Sequence, residues 1–194
     1  MTYDVDTINH LIRNRRSVFP DQFEQGRQVP DEIIREILTN ATWAPNHGRN
    51  EPWWFTVFSG EGLQKLADFQ SELYRQEAGD NFNEATFTKL KNQPLKASHI
   101  IAIGMKRGKN RKIPEIEDIE AVACAVQNMY LSVAAYGLGG YWGSGGITYK
   151  ESAKAFFGLG EEDKLLGFFY INYIKVSSAP GVRQPLEEKL NWIK

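Results

Sequence analysis

The chain has 194 residues, 23 Lys plus Arg against 24 Asp plus Glu, a formal net charge of −1 and 42% hydrophobic residues. That length suits one domain, expected to span 1–194, with a substantial core. The charge balance argues against a nucleic-acid or membrane-surface partner. A single cysteine, Cys124, excludes an intrachain disulfide, and within its apolar run it reads as a buried structural thiol. Met1 to His10 carries acids and no apolar core, so it is no secretory signal, and a cytoplasmic protein is expected.

Val5, Ile8, Leu11 and Ile12 recur at helical spacing after Asp4, which predicts an opening amphipathic helix ending near Asn14. Pro30-Asp31-Glu32 starts a second helix with Ile33, Ile34, Ile37, Leu38 and Ala41 as its apolar face, broken by Pro45 and Gly48. Trp53 to Phe58 is aromatic and β-branched, hence a strand. A helix bearing Leu63, Leu66, Phe69 and Leu73 follows, then a polar helix-loop stretch from Glu77 to Lys96 and a second strand from His99 to Gly104. Ile116 to about Tyr136 is a long helix, apolar nearly all round, so it should be buried. Gly137 ends it in a left-handed conformation. A glycine loop then leads to a short helix from Glu151 to Phe157 and a strong strand from Leu166 to Val176. The sum is an α+β fold, with helices flanking a central mixed sheet of four or five strands. Its tail, about 177–194, is placed to extend over a partner subunit.

Three segments can carry chemistry. Arg15-Arg16-Ser17 puts two guanidinium groups and a hydroxyl at one turn, a set suited to a phosphate. Taken alone, the same turn serves as a basic helix terminus complementing the macrodipole. The polar loop from Ala44 to Trp53 offers donors to a heterocycle or simply connects two elements. Gly137 to Gly146 matches neither the dinucleotide fingerprint, since Trp142 stands at its third glycine, nor a Walker loop or a nucleophile elbow. What remains is backbone able to approach a ligand closely. His10, His47 and His99 show no metal-ligand spacing, so no metal is expected.

Together these segments resemble the nitroreductase family, in particular its small, minimal members. The resemblance rests on Asn14-Arg15-Arg16-Ser17, the Ala44-Pro45-Asn46-His47 loop leading to Pro52-Trp53, Gly139 to Gly145, and Asp163 to Phe168. It implies a nitroreductase-like homodimer binding FMN at the subunit interface, with NADH or NADPH as donor and a nitroaromatic, a quinone or a related small molecule as acceptor. By resemblance, Arg15, Arg16 and Ser17 hold the FMN phosphate and ribityl chain. Trp43 and His47 contact the flavin, often from the other subunit. Trp142, Gly143 and Ser144 flank it, and Arg183 approaches the phosphate. Ser132, Val133, Ala134, Ala135, Tyr136 and Gly137 match a nicotinamide-dinucleotide segment. No protein group is assigned as catalytic, because the flavin carries the electron chemistry. Many relatives have Asn-x-Gln-Pro where this chain has Arg49-Asn50-Glu51-Pro52, so the acceptor is left open. A flavin-storing or flavin-sensing protein without turnover is the alternative.

Overall fold

The computed structural model describes residues 2–194. Five helices, α1 (Val5–Asn14), α2 (Asp31–Ala41), α3 (Glu61–Ala78), α4 (Glu84–Asn92) and α5 (Glu115–Ala135), accompany four strands. The strands β1 (Trp53–Ser59), β2 (His99–Met105), β3 (Leu138–Gly143) and β4 (Lys164–Tyr173) form one sheet in the order β1-β2-β4-β3. All three pairings are antiparallel. The expected mixed sheet is therefore corrected: the parallel element is an isolated bridge between Ser17 and Gly140.

The sheet is covered on both faces, which is why β2 is buried along its whole length. Successive side chains on a strand point to opposite faces. Ile101 and Ile103 of β2 and Phe169 and Ile171 of β4 accordingly join Ile37 of α2 and Val122, Val126 and Met129 of α5 in one core. Ile100, Ala102, Phe168 and Tyr170 turn the other way and pack with Leu66 of α3 and Phe157 of the short 3-10 segment Glu151–Phe157. Each fully buried Ile, Leu or Phe contributes on the order of 1.5–3 kcal/mol, so the sheet and its two helical layers form the rigid frame. Among the described residues no helix is long and apolar enough to cross a membrane.

Two expectations are revised. The glycine-rich segment read as a loop is largely strand β3, because its pairing partner β4 supplies the bulk that glycines lack. The long helix was expected to be buried all round. It buries Asp118, Val122, Ala125, Met129 and Val133 but leaves Ile116, Glu120, Cys124, Gln127 and Ala135 at the surface. Cys124 is thus exposed, not buried. Ile116, Glu120, Cys124 and Gln127 recur three or four residues apart and Ala135 lies two turns further on, so they form one stripe facing away from the sheet. Helix α1 likewise buries none of its residues, and its Val5, Ile8 and Ile12 remain exposed.

One buried ion pair anchors the start of α5. The Arg107 guanidinium binds the Asp118 carboxylate, with side-chain exposures of 10% and 2%. Arg107 also donates from Nη2 to the Ile113 carbonyl at 2.9 Å. Removing one member of such a pair strands a desolvated charge. Asp118→Ala should therefore lose about 3–5 kcal/mol of stability, read as a lower urea midpoint. An unchanged midpoint would show that water solvates Arg107.

Candidate active site

Arg15 caps the C-terminus of α1, donating its N–H to the Leu11 carbonyl at 3.0 Å. The chain then runs beside β3, with Val18 N–H donating to the Gly140 carbonyl at 2.9 Å. The two arginines have different surroundings. Arg16 donates from Nη1 to the carbonyls of Arg13 at 2.7 Å and Arg15 at 2.9 Å. Gly181 of the tail lies against its guanidinium. The helix-terminus role thus describes Arg16. The Arg15 guanidinium instead lies 4.8 Å from the centroid of the Tyr130 ring. Neither arginine forms an ion pair among the described residues. Both border a surface cavity of about 240 Å³, which Ala134, Gly137 and Ser178 also line.

Tyr130 of α5 gathers this region. Its hydroxyl accepts the Trp142 N–H at 2.8 Å and lies 3.3 Å from the Ser17 hydroxyl. The Trp142 indole donates to the Leu166 carbonyl at 3.0 Å. Gly167 makes room for that ring and for the Gly143 backbone: its φ is +120°, and a Cβ there would stand 3.0 Å from Trp142 Nε1 and closer still to the Gly143 carbonyl oxygen. Trp142 and Ser144 face an apolar hollow of about 280 Å³, shared with Ile119, Ala123, Tyr149 and Leu166. Gly143 borders a second cavity, of about 230 Å³, whose lining includes Lys89 of α4, Gln93 at that helix's C-terminal cap, Tyr141 and Tyr170. Burial pushes the Tyr170 phenol above its ordinary pKa, aided by neighbouring Tyr141, so it stays a neutral donor.

The other candidate loop sits elsewhere. Trp43 is 82% exposed just beyond α2. His47 Nδ1 is 2.6 Å from Glu117 Oε2 at the first turn of α5. Gly48, Arg49 and Glu51 all have positive φ, at 59°, 55° and 45°. For Arg49 and Glu51 that conformation is strained, and side chains hold it. Asn46 Oδ1 accepts the Glu51 N–H at 3.1 Å, and Asn50 donates to Asp118 Oδ1 at 3.0 Å. Gly108 admits that amide, since a Cβ there would lie 2.0 Å from Asn50 Cγ.

Helix α5 separates the two groups. Glu117 and Tyr130 are about 20 Å apart along its axis at 1.5 Å per residue. They also lie on different flanks. Ile119, Ala123 and Tyr130 face the Trp142 side. Glu117, Asn128 and Ser132 face α2 and its loop, with Asn128 donating to the Asn40 carbonyl at 3.1 Å. The exposed stripe runs between them. A single chain therefore brings Arg15, Ser17, Trp142 and the segment Gly143–Ser144 together but leaves Trp43 and His47 apart from them.

The segment 132–137 forms the last turn of α5 and its exit. Ser132 is buried and accepts from the Asn40 amide at 3.1 Å, and Val133 is in the core. Ala135, Tyr136 and Gly137 are exposed, and Gly137 has a φ of +68°, the left-handed turn expected of it. Arg183 is exposed and donates to the adjoining Val182 carbonyl. Sequence reasoning missed Tyr130, Lys89 and Asn50. Tyr130 looked like one more apolar helix position, and the α4 stretch carried no pattern that tied it to the sheet.

A family model described as the nitroreductase family matches residues 12–173. The protein named "Putative NAD(P)H nitroreductase YdjA" from Escherichia coli (strain K12) is 30% identical over 183 residues, covering 93% of this chain and 95% of that protein. "Putative NAD(P)H nitroreductase YfhC" from Bacillus subtilis (strain 168) is 26% identical, covering 94% and 92%. The crystal structure of a nitroreductase-like family protein from Bacillus cereus matches with a TM-score of 0.81 at 30% identity, over 100% of this chain and 98% of that one. A Desulfovibrio desulfuricans nitroreductase-type structure in complex with FMN shares the fold, with a TM-score of 0.70 at 24% identity and coverage of 100% and 99%. The chain belongs to the nitroreductase family.

Proposed function

We propose that this protein is an FMN-dependent NAD(P)H oxidoreductase. It works as a homodimer and reduces nitroaromatics, quinones or related small acceptors. The observation that carries this reading is the unpaired Arg15 guanidinium and the Ser17 hydroxyl gathered on the Tyr130 side chain, next to a glycine-rich strand that offers Trp142 and the Gly143 backbone. Two cations without counter-charges want an anion, and a planar fork matches phosphate oxygens. The relatives named as NAD(P)H nitroreductases, and the related fold described in complex with FMN, support the same reading.

The residues fit the cofactor. Arg15 and Ser17 would bind its phosphate and ribityl end, with Arg16 fixing the turn between them and Arg183, exposed on the C-terminal tail, as a further cation for the phosphate. Lys89, Gln93 and the neutral Tyr170 phenol are the donors for a polar ring edge entering the cavity beside Gly143. When bound, FMN supplies reversible hydride acceptance and release, so one cleft can serve a nicotinamide donor and then an acceptor in turn. The end of α5, with Ala135 to Gly137 exposed, Ala134 half-buried and Ser132 and Val133 behind them, is the surface for the dinucleotide. Glu51 is exposed on the strained loop, and its carboxylate would disfavour anionic acceptors if the assembled pocket includes that loop.

What α5 leaves uncovered supports a dimer. A stripe containing Ile116, Cys124 and Gln127, flanked by the exposed apolar face of α1, suits a second copy. A twofold axis across this stripe would bring Trp43 and His47 of one copy toward Arg15 and Trp142 of the other. The tail, with Val182, Leu186 and Trp192 exposed, is then positioned to lie over the partner.

The purified protein should be yellow, and NADH or NADPH should bleach the bound flavin without air. Arg15→Ala should weaken FMN binding about ten- to hundredfold, the loss of a charge-assisted contact of roughly 1.5–3 kcal/mol. A flavin that is bound but reduced by neither nicotinamide would favour storage or sensing over catalysis. In sedimentation the flavin-loaded protein should run as a dimer. A monomer with full flavin occupancy would contradict the shared site.

A further inference from the structure

Tyr130 touches three of the residues assigned to the cofactor, two from the Arg15–Ser17 turn and one from β3. Its ring carries the Arg15 guanidinium, and its hydroxyl meets both the Trp142 N–H and the Ser17 hydroxyl. The ring itself is fixed edge-on against Phe169 at a centroid distance of 4.8 Å. The residue is 9% exposed. It is therefore held in place by the core while its polar atom faces the site.

The hydrogens at this junction have one consistent arrangement. An amide N–H can only donate, so at 2.8 Å the Trp142 N–H gives its hydrogen to the Tyr130 oxygen. The phenol hydrogen is buried and has the Ser17 oxygen as its acceptor among the described residues. Ser17 Oγ makes no other hydrogen bond there. With its oxygen taking the phenol hydrogen, the Ser17 hydroxyl is left with its own hydrogen to give. The chain runs Trp142 N–H to Tyr130 O–H to Ser17 O–H, and it ends as a donor on the turn that carries the unpaired Arg15 guanidinium. Hydrogen bonds aligned in one direction polarise each other, so the terminal hydroxyl is a better donor than an isolated serine. Its fitting partner is an oxyanion.

We propose that Tyr130 is a positioning residue of the cofactor site. It links β3 to the Arg15–Ser17 turn through this directed relay and tunes that turn for a phosphate-type oxyanion. The proposal rests on the FMN reading above. It assigns Tyr130 no contact with reacting atoms. Its effect is to hold Arg15 by the ring and to orient Ser17 by the hydroxyl.

Tyr130→Phe separates these two effects, because a phenyl ring keeps the cation–π contact and the edge-on packing while deleting the relay. The measurement is FMN affinity, by quenching of flavin fluorescence, for wild type, Tyr130→Phe, Ser17→Ala and the double variant, with the melting temperature of each apoprotein alongside. Tyr130→Phe should weaken FMN binding about tenfold, as loss of an ion-directed hydrogen bond does. The double variant should bind no worse than the poorer single variant, since both break one chain. Riboflavin, which lacks the phosphate, should lose less affinity than FMN. A Tyr130→Phe protein that binds FMN within twofold of wild type overturns the relay, even if its melting temperature falls. So do losses that multiply in the double variant. A wild type that takes up no FMN overturns the parent reading and the relay with it.

Discussion

The packing of α5 across the sheet is the constraint from which the site follows. One face of the helix must cover Ile101, Ile103, Phe169 and Ile171, which it shares with α2, because a sheet buried on both sides needs a helical layer over those side chains. That requirement fixes the helix in rotation as well as position. Tyr130 is then turned toward β3 and the end of α1, Glu117 toward the loop after α2, and an almost uncharged stripe toward solvent. The division of the candidate site into two groups is thus a by-product of core packing, and a twofold assembly is the simplest geometry that rejoins them.

Charge placement follows the same division of labour. The carboxylate of Asp118 is spent inside the fold on Arg107 and Asn50, where it steadies both the start of α5 and the strained loop carrying His47 and Glu51. Arg16 is likewise committed to helix-end carbonyls. Arg15 alone at that turn has an aromatic ring for a neighbour in place of a carboxylate or carbonyl. A cation left over a ring keeps its attraction for an anion nearly intact, since the ring partly desolvates it without neutralising it. The contrast between adjacent arginines is what makes this turn a candidate binding site as well as a helix terminus.

Much of the frame was legible in the chain. The ends of α1 and α2, the strands beginning at Trp53 and His99 and the span of α5 follow from periodicity, capping residues and glycine or proline stops, and the helix ending before Gly137 turned out as expected. Strand β3 was hidden because glycines carry no strand preference of their own, and its conformation is imposed by pairing with β4. Cys124 was misjudged because an apolar run tells which residues avoid water but not whether this chain or a second one covers them. The polar stretch after α3 forms α4, capped by the Asn83 side chain, yet buries nothing, so no apolar period announced it. At the site, the residue types of Arg15, Ser17 and Trp142 could be read directly. Tyr130 could not, because its importance comes from two segments far away in sequence that converge on one hydroxyl.

The central claim is that each site is assembled from two copies, and subunit complementation tests it most directly. Arg15→Ala removes one half of the proposed site, and Trp43→Ala with His47→Ala removes the other, each on a separate chain. Mixed and allowed to pair at random, the two defective proteins should regain flavin-dependent NAD(P)H oxidation at about a quarter of the wild-type site number, because half of the dimers then carry one intact site. Activity of the mixture no greater than the average of the two parents would place both halves in the same subunit and contradict the account.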